Sequence, residues 1–143
     1  MKILKALLIV VKMVLKLTSD IIYGVALGAI TWIIGFIIVG YAVINAPELY
    51  ITTVLITGVI NTILVVLIVR AAVYRTPMSQ WAVDSLLIGI IIMILNFLLD
   101  FGVLGVMLQQ DFVNYLLSST VLIAYPLSIL WSLIGGWLGS LKL

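Results

Sequence analysis

WAVDSLLIGIIIMILNFLLDFGVLGVM, residues 81–107, decides the fold. Only Asp84 and Asp100 are charged in it, and it exceeds the about 20 helical residues that a hydrocarbon core requires. Three further apolar segments of comparable length, near 21–44, 49–73 and 112–138, flank it. The breaks between them are NAPEL (45–49), YRTPMSQ (74–80) and LQQD (108–111), each rich in turn formers or well-hydrated side chains. Barrel strands would be shorter and alternate in polarity, which these segments do not. Connections this short place antiparallel helices side by side. The expected fold class is therefore all-α integral membrane: a four-helix antiparallel transmembrane bundle with an N-terminal amphipathic interfacial helix.

Composition agrees. Of 143 residues, 66% are apolar and 8% charged, against about 25% charged in soluble domains. A small soluble domain could not hide that much apolar surface. With no Cys and no His, disulfides, thiolate and imidazole metal sites and nucleophile–histidine pairs are excluded. No cofactor and no metal is expected. The net charge of +2 comes from too few basic residues, mostly beside membrane segments, to imply nucleic acid.

Those basic residues set the orientation. Lys2, Lys5, Lys12, Lys16, Arg70, Arg75 and Lys142 all fall on one side of the four spans, and the other two loops carry none. The positive-inside rule makes that side cytoplasmic, with both termini inside a cell (inner) membrane. Tyr23, Tyr74, Trp81, Trp131 and Trp137 form the expected inner aromatic belt, and Tyr41, Tyr50 and Tyr115 the outer one. Trp32 falls mid-span and belongs to neither.

Residues 1–18 read as a separate unit before a four-span unit of 19–143. Lys12 and Lys16 interrupt what a signal peptide would keep apolar. At 100° per residue, Lys2, Lys5, Lys12 and Lys16 share one narrow arc, and leucines and valines fill the rest. Such a helix lies in the interface with its lysines toward anionic headgroups. It serves to dock a membrane surface or partner, or merely to fix topology.

Polar and small residues mark the inward faces. Gly24, Gly28 and Gly35 form a small-residue stripe on span one, suited to close helix packing within the chain or between chains. Arg70 and Asp84 are equidistant from Pro77, so a hairpin brings them to one depth as a structural ion pair at the inner boundary. Asp100 lies about 12 Å below the outer boundary, at 1.5 Å per residue. Thr57 and Ser118 reach a similar depth, and Asn61 and Asn96 lie deeper. No basic residue lies in the outer half of any span. Three states fit Asp100: hydrogen-bonded to Asn96, Thr57 or Ser118; a reversible proton or cation site; or charged in a water-filled crevice. Its use is either polar glue between helices or ligand binding, because intramembrane carboxylates are functional-site candidates by default.

The pattern NFLLDFG, then DFVNYLL and AYP, resembles that of uncharacterised small four-span prokaryotic membrane proteins. In these the third span carries Asn-x-x-x-Asp (here Asn96 and Asp100), a Phe/Tyr pair opens the fourth (Phe112 and Tyr115), and a proline lies midway (Pro126). The resemblance covers roughly the last third of the chain. It implies the fold and no particular activity.

Two functions remain. One is binding or transport of a small ligand, or of a cation or proton, through an outward-facing polar crevice around Asp100, lined by Thr57, Asn61, Asn96 and Ser118. The alternative is a non-catalytic accessory or scaffolding subunit. A homodimer or larger membrane complex is the expected assembly. No enzyme is expected, since one deep carboxylate is not the pair that an aspartic protease needs unless a dimer brings two Asp100 together.

Overall fold

The computed structural model describes residues 2–73, 80–108, 111–117 and 119–141. They form α1 (Lys2–Asn45), a 3-10 turn (Pro47–Leu49), α2 (Tyr50–Val73), α3 (Trp81–Asp100), a π-helical segment (Phe101–Met107), α4 (Phe112–Leu117) and α5 (Ser119–Ser140). No strand occurs among the described residues. Four stretches are long and apolar enough to cross a membrane: Leu7–Tyr41, Ile51–Ile68, Trp81–Met107 and Ile123–Ser140. Apolar side chains such as Leu7, Ile37, Leu67 and Ile123 stand on the outside, and among the described residues only Leu27, Val65, Ile88 and Ile92 form a buried apolar core. This is the inside-out economy of a multi-pass helical membrane protein, whose outer surface needs lipid rather than water.

The chain does not break at residue 18. α1 runs through it as one helix of 44 residues, about 66 Å long and twice the hydrocarbon thickness. The Thr18–Ser19–Asp20 cluster could cap a new helix. Instead the Thr18 hydroxyl donates to the Val14 carbonyl at 2.9 Å, one turn back in the same uninterrupted helix. The span-four segment does begin with a cap: Asp111 accepts from the Asn114 backbone N–H at 3.2 Å and from its side-chain amide at 2.7 Å.

Packing departs from simple succession. α1 rests on α3 and α2, and α5 rests on α2 and α3, whereas the consecutive helices α2 and α3 barely touch. The wedge between them is α5, and two adjacent glycines explain it. A Cβ on Gly135 would stand 2.7 Å from the Thr62 carbonyl of α2, and one on Gly136 would overlap Ser85 of α3. Neighbouring positions point about 100° apart on a helix, so the pair lets α5 approach two partners at once. Gly24 and Gly28 do the same for α1, lying against Ile91 and Leu95 of α3. Gly35 meets Thr57 of α2 at ordinary contact distance.

One clamp closes the first turn of α3. Lys16 Nζ lies 2.7 Å from Asp84 Oδ1 and donates to Gln80 Oε1 at 2.7 Å. The partner described for Asp84 is thus on α1, the helix beside α3. The Arg70 side chain, expected opposite Asp84, lies outside the described residues, as does that of Lys2. Lys5 and Lys12 are exposed.

Candidate functional site

Asp100 ends the α-helical part of α3, and its carboxyl has two described donors. Trp32 Nε1–H on α1 donates to Oδ1 at 2.8 Å. The Tyr125 hydroxyl on α5 donates to Oδ2 at 2.5 Å, within the short range of hydrogen bonds to a carboxylate. Each donor is held by another ring: Trp32 stacks on Phe36 with centroids 5.0 Å apart, and Tyr125 meets Phe97 edge-on at 5.8 Å. Both donors are uncharged, so they satisfy carboxyl oxygens without supplying a counter-charge.

Neither described donor is among the partners expected from the sequence. Thr57 turns its hydroxyl to the Thr53 carbonyl at 2.9 Å. Ser118 lies outside the described residues. Trp32 was legible only indirectly, as the one tryptophan outside both aromatic belts, and Tyr125 lies in the AYP that ends at the midway proline. Trp131, expected in the inner belt, instead packs its indole against Gly58 of α2, where no side chain would fit.

Beside the Asp100 carboxyl lies a partly open cavity of about 470 Å³, walled by all four spans. Its polar lining includes Asp100, Asn96, Asn61 and Thr57, four of the five residues singled out from the sequence. Trp32, Phe36, Tyr125 and Trp131 supply aromatic walls. Two buried amide oxygens face this space without a hydrogen-bond partner, Asn61 Oδ1 and Asn96 Oδ1. Asn61 is only 4% exposed, so bulk water does not relieve it. Buried polar atoms are nearly always paired, and an orphan asks for an explanation. The third such atom among the described residues, Ser132 Oγ, sits outside the cavity lining in the α3–α5 seam against Gly89, and nothing in the structure explains it.

A change of helix type follows Asp100. From Phe101 to Met107 the backbone is π-helical, closed by the Leu108 N–H to the Val103 carbonyl at 2.9 Å. A π segment widens the turn, is rare, and concentrates at functional sites. Gly102 and Gly105 lower the local preference for a regular α-helix. Leu104 and Leu108 in and after this segment continue the cavity wall begun by Asp100.

Gly58 and Gly35 make room from the other side. Both line the cavity, and their missing side chains leave the space occupied in part by Trp131 and Thr57. Among the described residues no three His, Cys, Asp or Glu side chains gather as a metal site would require. The chain matches no family model, no curated protein and no solved structure.

Proposed function

We propose that this chain is a four-helix antiparallel transmembrane bundle of the cell (inner) membrane, with both termini cytoplasmic. In this proposal it binds or transports a small ligand, or a cation or proton, through an outward-facing crevice around Asp100. One observation carries the proposal: an intramembrane carboxylate opens onto a cavity that also holds two unpaired buried amide oxygens. Glue between helices would consume those oxygens in interhelical bonds. A ligand site leaves them for the ligand, and the cavity volume falls in the usual range for small-molecule sites. The role is non-catalytic, with a single deep carboxylate and no His or Cys.

The chain lacks cysteine, so single-cysteine variants report cleanly on access. Thr57→Cys should react with a small impermeant thiol reagent added outside intact cells, while Ile63→Cys, on an exposed apolar face of α2, should not. Silence at Thr57 while Glu48→Cys labels would overturn the outward crevice.

A second proposal, an accessory or scaffolding subunit, draws on the start of α1. Lys16 is level with the first turn of α3, so residues 2–15 project about 21 Å further. Leu7, Leu8, Val11, Met13 and Leu15 on that projection are all about half exposed or more. Anionic headgroups or a partner chain would cover it. Gentle extraction from native membranes followed by identification of copurifying chains separates this role from a self-sufficient binder.

A further inference from the structure

The cavity lining carries one carboxyl group and several hydrogen-bond acceptors. Among the described residues, Asp100 is the sole carboxyl in its lining, and no basic residue lines it. Four hydroxyls line it, and each already donates elsewhere: Thr31 to the Leu27 carbonyl, Thr57 to the Thr53 carbonyl, Ser128 to the Tyr125 carbonyl and Tyr125 to Asp100. The Trp32 indole N–H is likewise committed to Asp100. The four hydroxyl oxygens keep lone pairs for the interior, and the lining also holds N–H groups on Trp131, Asn61 and Asn96. Asn61 Oδ1 and Asn96 Oδ1 add two buried acceptors without donors.

A complementary ligand is therefore positively charged and rich in N–H donors. An anion would face the Asp100 carboxyl with no basic residue in the described lining. A neutral acceptor would leave the amide oxygens unpaired. A desolvated divalent metal wants six or more oxygens and usually several carboxylates, and here it would find one carboxylate among aromatic walls. An ammonium group is suited to both features. Its N–H bonds satisfy carboxylate and amide oxygens together, and its charge is attracted to the faces of Trp and Tyr rings. Asn96 and Asp100 stand one turn apart on α3, about 6 Å in rise, which leaves one ammonium room between them. The remaining walls, including Val39, Val54, Ile92 and Leu104, accept an apolar body.

Resting on the binding role proposed above, we infer that the ligand class is a protonated primary or secondary amine carrying an apolar or aromatic body. The ammonium sits among Asp100, Asn96 and Asn61, and the body lies against Trp32, Phe36 and Trp131.

The test uses the full chain in lipid nanodiscs and isothermal calorimetry at neutral pH. The probes are phenethylammonium, its N,N,N-trimethyl analogue, neutral phenethyl alcohol and potassium chloride. Phenethylammonium should bind roughly 10- to 100-fold tighter than the alcohol, the range that a charged hydrogen bond supplies. Asp100→Asn should erase that preference, and Asn61→Leu should weaken phenethylammonium more than the trimethyl analogue, which has no N–H. Helicity and melting of each variant confirm that it folds. Equal affinity for alcohol and ammonium would overturn the amine class while leaving the cavity as a binding site. Binding of potassium alone would overturn the class in favour of an inorganic cation. No binding of any probe by a folded chain would overturn both the class and the binding role.

Discussion

Trp32 and Asp100, 68 residues apart in the chain, are joined by an indole N–H that donates to Oδ1 at 2.8 Å. The same offset joins Lys16 to Asp84. α1 and α3 therefore run in one direction and in register, clamped by a polar bond at two levels about 24 Å apart along the helix. Between the clamps lie Gly24 and Gly28, which bring the two backbones together. Polar clamps specify register where apolar side chains alone slide, since lipid competes for every apolar face.

The donors to Asp100 should be measurable in stability. Trp32→Phe and Tyr125→Phe each remove one donor from the carboxyl, at an expected cost of about 1–3 kcal/mol in reversible detergent unfolding. In the Asp100→Leu background the same substitutions should cost much less, because the acceptor is gone. Full additivity across that cycle would mean that the bonds do not contribute.

At the other clamp, Lys16→Ala and Asp84→Ala should couple by about 0.5–3 kcal/mol, the double variant losing less than the singles together. Both groups are less than a third exposed, 29% and 13%, so solvent screens them incompletely. A parallel cycle with Arg70→Ala measures whether Asp84 also senses α2. Additivity in the Lys16 cycle would break the α1–α3 register argument.

Close helix approach predicts opposite outcomes for two glycines. Gly135→Ala pushes a methyl into the Thr62 carbonyl and Val65, and overpacking of this kind typically costs about 1–3 kcal/mol. Gly40→Ala meets nothing within 4 Å and should stabilise α1 by about 0.5–1 kcal/mol through helix propensity. Equal thermal shifts for the two would show that α5 does not wedge between α2 and α3 as described.

Topology is checked by impermeant labelling. Glu48→Cys in the 3-10 turn and Asp111→Cys at the cap of α4 should both react from outside intact cells, since the basic residues sit at the opposite ends of the spans. Reaction only in inverted membranes would reverse the assigned orientation.

The number and apolar character of the four membrane-crossing stretches were legible in the linear chain. The reason is local: apolar length and the polar breaks at NAPEL, YRTPMSQ and LQQD are properties of consecutive residues. Depth counting was local too, and it singled out Asp100, Asn96, Asn61 and Thr57, which share the cavity wall. Which helix lies beside which was not legible, because apolar faces are nearly interchangeable in lipid and steric fit at glycines chooses among them. Gly135 and Gly136 settle that choice by drawing α5 between α2 and α3, so a depth argument across the α2–α3 turn did not find Lys16 beside Asp84. Nor could spacing reveal the partners of Asp100, since Trp32 and Tyr125 arrive from helices 68 and 25 residues away. The continuous α1 and the π-helical turn after Asp100 likewise depend on where backbone carbonyls find donors, and only the folded chain decides that.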